Sequence, residues 1–268
     1  MSAAFPIGVF DSGVGGLSVL REIRRELPGE DLLYVADSAH APYGDKPAEL
    51  IEARTIAIAD FLTSRHAKAI VVACNTATGV AIKKLRSRFS LPIIAMEPAI
   101  KPAAAHTRSG VIGVLATSRT IASDNFAKLH DRFRTDAKIL LQACPGLVEQ
   151  VESGRLSDEK TRALIALYVS PLLEQQVDTI VLGCTHYPFL APLIREIAGP
   201  TVAIIDPSAA IARELRRRLS VAGLLSAENR AGTEQFWTSA ASEIVQPVIA
   251  QLWQANVDVR RLPADSTA

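Results

Sequence analysis

Short, continuous apolar runs alternate along the chain with longer segments of helical period. Eight runs have the length and composition of buried strands: 7–10, 32–36, 69–73, 92–96, 111–116, 138–143, 179–183 and 202–206. Strands that are apolar throughout, rather than at every second position, are typical of parallel sheets covered on both faces. The pattern therefore predicts an α/β fold with mainly parallel sheets.

Amphipathic segments between these runs predict helices. One covers 16–27, and another covers 157–176, which we expect to begin with Ser157 as its N-cap. Near the end of the chain, helical patterns also follow residue 208, and we expect this tail to pack back on the first half.

The chain also repeats itself. Three pairs of segments correspond in the same order: IGVFDS with IGVLAT, AIVVACNT with TIVLGCTH, and MEPAIKPAA with IDPSAAIAR. Chance similarity between buried strands explains any single pair, but three pairs at nearly equal spacing favour duplication. The sequence thus predicts two pseudo-symmetric α/β domains, one formed by 1–98 plus 208–268 and one by 99–207. Ligands bind at the carboxyl ends of parallel strands, so we expect an active site in the cleft between the domains.

Charge and cysteine content narrow the choice of partners and location. The chain has 29 Lys plus Arg and 28 Asp plus Glu, a net charge of +1, which gives no reason to expect nucleic acid or an acidic membrane surface as a partner. Neither a signal peptide nor an apolar run of about 20 residues is visible, so we expect a cytoplasmic protein. Its three cysteines would then be reduced thiols, and the lack of a C-x-x-C pair argues against a zinc site.

Cys74 follows one predicted strand and precedes a helical segment. Its neighbours Asn75 and Thr76 are hydrogen-bonding residues near that helix start. A thiol in such a place can be partly acidified, and the thiolate is the reactive form. A single buried cysteine is nevertheless most often structural.

Cys184 repeats the arrangement in the second half, followed by Thr185 and His186. Pseudo-symmetric halves would put this thiol and that of Cys74 on opposite walls of one cleft, and the pair outweighs the structural interpretation of either. Cys144 has no counterpart in the repeat and is interpreted as structural.

Two further segments place polar groups in predicted loops. In FDSGVGG, Asp11 and Ser12 stand at a strand tip beside a glycine-rich turn, whose N–H groups suit an anion such as a carboxylate. Ser18 stands where a dinucleotide fingerprint needs its third glycine, so that motif is absent. In APYGDKP, Tyr43 and Gly44 would present a hydroxyl and bare backbone to a small ligand.

Three functions are compatible with two opposed thiols. A disulfide redox couple is one, although the C-x-x-C arrangement that tunes such couples is missing. A two-lobed solute-binding protein is another, although those proteins are exported. Proton transfer at a carbon from both faces is the third, because thiols with an ordinary pKa of about 8.5 reach both forms near neutral pH. Asp11 on one side and His186 or Glu152 on the other would assist.

Five motifs together resemble the aspartate/glutamate racemase family, in its glutamate-specific branch: FDSGVGGLSVL, ADSAHAPYGDKP, ACNTAT, MEPAIKPA and GCTHYP. The resemblance implies two α/β domains and a cofactor-independent interconversion of L- and D-glutamate that supplies peptidoglycan synthesis. It also implies a homodimer. One departure is His40, where many relatives carry arginine.

Residue roles follow from the same resemblance. Cys74 and Cys184 match the two catalytic thiols, with Cys74 acting on D-glutamate and Cys184 on L-glutamate. Asp11, Glu152 and His186 match the auxiliary acids. The positions that match substrate contacts are Asp11, Ser12, Tyr43, Gly44, Asn75, Thr76, Thr117, Thr185 and His186.

Overall fold

A computed structural model describes residues 2–227 and 230–263. The strands within them are β1 (Ile7–Asp11), β2 (Leu32–Ala36), β3 (Ala69–Val72), β4 (Ile93–Ala95), β5 (Val111–Ala116), β6 (Lys138–Ala143), β7 (Thr179–Leu182), β8 (Ala203–Ile205), β9 (Glu234–Thr238) and β10 (Val259–Arg261). The helices are α1 (Leu17–Glu26), α2 (Ala48–Ser64), α3 (Asn75–Arg88), α4 (Ile100–His106), α5 (Ser118–Ile121), α6 (Asp124–Phe133), α7 (Leu147–Glu152), α8 (Glu159–Glu174), α9 (Ala191–Ala198), α10 (Ser208–Val221) and α11 (Ser242–Trp253).

The strands form two sheets whose pairings are all parallel. The first has the order β10-β9-β2-β1-β3-β4 and the second the order β6-β5-β7-β8. The segment β2-β1-β3-β4 therefore has the same order as β6-β5-β7-β8. This confirms the predicted α/β fold with mainly parallel sheets and gives the sequence repeat a structural counterpart.

All eight predicted strands are present, with ends that differ by no more than a few residues. β1, β3 and β7 are buried at every position, as expected for strands covered by helices on both faces. β6 lies at the edge of its sheet and is only partly buried. The continuous apolar runs thus mark the sheet interiors correctly.

The predicted N-cap of the helix near residue 157 is wrong by one position. The side chain of Asp158 accepts the backbone N–H of Thr161 at 2.8 Å and caps α8, so Ser157 lies outside the cap. A carboxylate fits this position better than a hydroxyl because it also interacts favourably with the positive end of the helix dipole.

The tail contains two strands that the helical patterns did not reveal. β9 pairs with β2, and β10 pairs with β9, so residues 234–261 extend the first sheet. α10 packs against α1 on the same half.

The domain boundaries at 98 and 207 stay a prediction. Within the described residues, no helix has both the length and the apolar character that a membrane crossing requires.

Candidate active site

A small cavity lies where the carboxyl ends of the two sheets meet. Both halves line it, with the residues Ser12, Pro42, Tyr43, Gly44, Cys74, Asn75, Thr76, Thr117, Thr120, Val148, Gly183, Cys184, Thr185 and His186. Its two thiols follow β3 and β7, which occupy equivalent places in the two sheets. Cys74 is 4% and Cys184 is 7% exposed, so both sulfurs are shielded from bulk water.

Cys74 is the N-cap of α3. Its sulfur accepts the backbone N–H of Ala77 at 3.4 Å and donates to the Ser12 hydroxyl at 3.6 Å. Burial nevertheless raises the pKa of Cys74, and the nearby charge of Asp11 raises it further. The sequence predicted acidification at a helix start; the N–H contact is present, but desolvation of the buried thiol outweighs it.

Cys184 lies beside an imidazole and a carboxyl group. Its sulfur is 3.7 Å from Nδ1 of His186, whose Nε2 is 2.6 Å from Oε1 of Glu152 on α7. Burial lowers the pKa of His186, but the hydrogen bonds to Cys184 and Glu152 outweigh it and raise the pKa well above its ordinary value. The geometry therefore favours a positively charged imidazole next to this thiol.

The glycine-rich turn after β1 leaves room for these side chains. A Cβ on Gly13 would lie 1.9 Å from Oε1 of Glu152, and a Cβ on Gly15 would lie 2.2 Å from Nδ1 of His186. Real side chains do not approach so closely, so both positions exclude any residue larger than glycine unless the catalytic candidates move.

The N–H groups of this turn bind carboxyl groups, as predicted, but the carboxyl groups belong to the chain. Val14 donates to Oε1 of Glu152 at 2.7 Å. Gly13 and Gly16 donate to Oδ2 of Asp11 at 3.3 and 3.1 Å. These three N–H groups are therefore satisfied by carboxyl groups of the chain itself.

Asp11 is fully buried and accepts the Thr185 hydroxyl at 3.1 Å. Its carboxyl group thus joins the β1 tip to the residue after Cys184 and makes no hydrogen bond to Cys74. Burial raises the pKa of Asp11, an effect that its hydrogen bonds and His186 only partly oppose. Protonation of Asp11 would remove a negative charge that disfavours the Cys74 thiolate.

Two polar groups in the cavity wall differ in how they are satisfied. Both amide atoms of Asn75 are buried without a hydrogen-bond partner in the described chain. The hydroxyl of Thr76 lies 3.0 Å from that of Thr117 and 3.1 Å from that of Thr120, which brings the two halves together. Buried polar groups are rarely left unpaired, so Asn75 has unused hydrogen-bonding capacity at the cavity wall.

Tyr43 lines the cavity, but its hydroxyl donates to Oδ2 of Asp37 at 2.5 Å. The proton of this hydroxyl is therefore used within the chain, and contact of Tyr43 with a ligand stays a prediction. Nδ1 of His40 also lies 3.1 Å from Oδ1 of Asp37, and His40 does not line the cavity.

Sequence reasoning missed Asp37 and Thr120 as part of the site. Asp37 directly follows β2, and Asp11 is the last residue of β1. Its position at the tip of a predicted strand could therefore have identified Asp37 as a candidate. Thr120 is three residues beyond Thr117, and its backbone N–H donates to Oγ1 of Thr117 at 3.2 Å.

Cys144 lies outside the cavity lining and donates to the carbonyl of Gln142 at 3.3 Å. No metal-binding cluster of three or more His, Cys, Asp or Glu side chains occurs in 2–227 or 230–263.

Known proteins with a similar sequence and fold are named racemases. The profile of the family described as Asp/Glu/Hydantoin racemase matches residues 7–215. A glutamate racemase of Methylococcus capsulatus is 56% identical over 98% of this chain and 97% of its own length. The crystal structure of a Bacillus anthracis glutamate racemase superposes with a TM-score of 0.89 at 32% identity, covering 97% of this chain and 98% of that one.

A third similar protein is the Francisella tularensis glutamate racemase, solved in complex with D-glutamate. It has a TM-score of 0.86 at 27% identity and covers 99% of this chain and 100% of its own. Similarity of this extent, in sequence and in fold, identifies the chain as an amino-acid racemase: it belongs to the Asp/Glu/Hydantoin racemase family.

Proposed function

We propose that the protein interconverts L- and D-glutamate without a cofactor, using Cys74 and Cys184 as a pair of acid/base groups. The observation that carries this proposal is the pair itself. Two thiols at the tips of equivalent strands, one from each half, line the same cavity. A substrate carbon between them can lose a proton to one side and gain one from the other without turning over.

The reaction balances without an external reactant. The thiolate of one cysteine takes the α-proton, so the C–H bond breaks and an S–H bond forms, leaving the electron pair on the α-carbon. The thiol of the other cysteine then gives its proton to the opposite face of that carbon. Each turnover exchanges the protonation states of Cys74 and Cys184, and the reverse reaction restores them.

Neighbouring charges prepare the two thiols differently. A protonated His186, 3.7 Å from the Cys184 sulfur, suits a thiolate there as the base for L-glutamate. Burial keeps Cys74 in the thiol form, ready to deliver a proton. When D-glutamate is the substrate, Cys74 is the base, and protonated Asp11 and the Ala77 N–H would ease its ionisation.

The polar wall is suited to the charge that develops on the substrate. The unpartnered amide of Asn75, with the hydroxyls of Ser12, Thr76 and Thr117, would hold carboxylate groups and stabilise the carbanion, and Thr185 would contact the substrate through its backbone. Backbone of Tyr43 and Gly44 would complete the contact.

Glutamate is proposed as the substrate because the similar proteins are named glutamate racemases and one was solved with D-glutamate. The product would supply peptidoglycan synthesis in the cytoplasm, as the family resemblance implies. The resemblance also leads us to propose a homodimer, which sedimentation equilibrium would test.

The test is isotope exchange with matched cysteine variants. Incubation of the protein with L-glutamate in D₂O, without pyridoxal phosphate, should give D-glutamate with deuterium at the α-carbon. Cys74→Ala and Cys184→Ala should each abolish racemisation, whereas Cys144→Ala, a third buried thiol outside the cavity, should racemise at near the parent rate.

Other outcomes would favour the alternative functions. Binding of glutamate without deuterium incorporation would favour a binding protein. A reversible Cys74–Cys184 disulfide in place of racemisation would favour a redox couple. Near-parental racemisation by either the Cys74 or the Cys184 variant would exclude the two-thiol mechanism.

A further inference from the structure

The carboxylate of Asp37 is buried beneath the cavity wall. Asp37 directly follows β2 and is 0% exposed, and its backbone N–H donates to the carbonyl of Asp11 at 3.0 Å. It is therefore fixed to the same strand tip that carries a proposed catalytic group, but it does not line the cavity.

Two strong donors converge on this carboxylate. Nε and Nη2 of Arg54 on α2 lie 3.1 Å from Oδ2 and 2.9 Å from Oδ1, and the Tyr43 hydroxyl lies 2.5 Å from Oδ2. Burial raises the pKa of Asp37, but these hydrogen bonds outweigh it and lower the pKa below its ordinary value. Asp37 thus remains ionised and makes charge-assisted hydrogen bonds, the stronger kind.

The donor that matters for the cavity is Tyr43. Its ring is 2% exposed, and Pro42, Tyr43 and Gly44 form one continuous part of the wall. Burial and the charge of Asp37 raise the pKa of Tyr43 well above its ordinary value, so the hydroxyl keeps its proton and donates. Removal of this hydroxyl would release the side-chain hydrogen bonds that tie Tyr43 to Asp37 and Arg54.

The second half limits the same wall segment from the opposite side. A Cβ on Gly44 would lie 3.1 Å from Cβ of Thr117, and Nη2 of Arg119 donates to the carbonyl of Lys46 at 2.8 Å. The Pro42–Gly44 segment therefore lies between the Asp37 carboxylate of the first half and the Thr117 side chain of the second. A small displacement of this segment would change the space between the two thiols.

We propose that Asp37 is a positioning residue: through the Tyr43 hydroxyl it fixes the Pro42–Gly44 wall, and thereby the substrate, without touching the substrate itself. The role rests on the proposed function, because it assigns the wall to glutamate binding. A group that only orders a binding wall acts on substrate affinity more than on the chemical step, so KM should respond more than kcat.

The test uses Tyr43→Phe and Asp37→Asn, alone and together. Tyr43→Phe keeps the buried ring and removes only the hydroxyl, so it should fold normally even if Asp37→Asn, which leaves Arg54 facing a neutral partner, is less stable. Each single variant should raise KM for glutamate about tenfold, the size expected for one charge-assisted hydrogen bond, with kcat changed less. The double variant should be no worse than the worse single variant, since both break the same contact.

A second readout does not depend on the substrate. Alkylation of Cys74 and Cys184 by iodoacetamide, followed by mass spectrometry, should be several-fold faster in both variants because the wall no longer closes over the thiols. Asp60→Asn is the matched control: Asp60 is on α2 and forms a bidentate pair with Arg88 on the exposed surface, at 3.1 and 2.8 Å. It should leave KM and alkylation unchanged.

The outcomes separate the two proposals. Parental KM and parental alkylation rates in a folded Tyr43→Phe protein would overturn the positioning role, as would additive effects in the double variant. A parent protein that does not racemise glutamate would overturn the proposed function, while the alkylation rates would still decide whether Asp37 holds the wall. A lowered melting temperature without change in KM or alkylation would reduce Asp37 to a structural group.

Discussion

Oε1 of Glu152 lies 2.6 Å from Nε2 of His186 and also accepts the backbone N–H of Val14 at 2.7 Å. One oxygen of the second half therefore holds both an imidazole of its own half and the glycine-rich turn of the other. The orientation of His186 and the contact between halves are thus joined in a single carboxyl group.

Glu152→Gln should slow racemisation by about 10- to 100-fold, since it removes a charge that helps to keep His186 protonated. The loss of activity as pH rises through the pKa of His186 should move to lower pH in this variant. The measurement is the pH profile of kcat and KM in both directions. Because the equilibrium constant between enantiomers is unity by symmetry, kcat/KM must fall equally in both directions. An unchanged profile would contradict this role.

Gly15→Ala should lower activity by about 10²-fold or more, because the added Cβ would lie 2.2 Å from Nδ1 of His186 and must displace the ring. Gly199→Ala is the control. Gly199 has φ of +85° and no atom within 4 Å of its added Cβ, so this change should cost stability without altering the rate per folded molecule. Steady-state kinetics and urea unfolding of both variants separate the two effects, and equal activity losses would contradict the prediction.

Ser18→Ala should cost about 1–2 kcal/mol of unfolding free energy. The buried hydroxyl lies 2.9 Å from the carbonyl of Gly15 and 2.9 Å from that of Thr185, so it joins the glycine-rich turn to the segment that carries Cys184. Ser87→Ala, on the exposed face of α3, loses only a local bond to Lys84 and should be near neutral. Urea denaturation measures the stability of both variants. Equal stabilities would contradict a stabilising role of the Ser18 hydroxyl between Gly15 and Thr185.

Asp178→Asn should lower the melting temperature at neutral pH. Burial raises the pKa of Asp178, but hydrogen bonds from Thr107, Ser109 and Arg108 outweigh it and lower the pKa to about 2. A carboxyl group whose pKa is lowered by folding stabilises the folded protein at pH values above its unfolded pKa of about 3.9. This stabilisation is lost as the pH falls through the pKa of the folded state. The difference from the parent protein should therefore narrow as pH decreases from about 4 toward 2. A difference that stays constant over this range would contradict the assignment.

Local sequence patterns were sufficient for the strands and for the residues at their tips. A buried parallel strand is a continuous apolar run, so polar and reactive residues directly after it are easy to recognise. The sequence repeat then paired Cys74 with Cys184. β9 and β10 were missed because they contain few apolar residues, Phe236 and Trp237 in β9 and Val259 in β10. Their place in the sheet depends on pairing with β2, far away in the chain.

Features that depend on depth or on distant partners could not be predicted in this way. The helix start at Cys74 suggested an acidified thiol, but the effect of burial depends on how completely the second half covers it. The hydroxyl of Tyr43 and the N–H groups of Gly13, Val14 and Gly16 looked available because their acceptors lie elsewhere in the fold. Asp37 was inside a recognised motif, yet only the structure identifies it as the acceptor of Tyr43.

The return of the tail to the first sheet has a consequence for folding during synthesis. The second sheet is complete as soon as residue 205 has been made, because its four strands are consecutive in the chain. The first sheet must wait for Arg261, and until β9 (Glu234–Thr238) has been made β2 has an unpaired edge. We therefore expect that the half that leaves the ribosome first is completed last, and that a chain truncated before β9 would aggregate through that open edge.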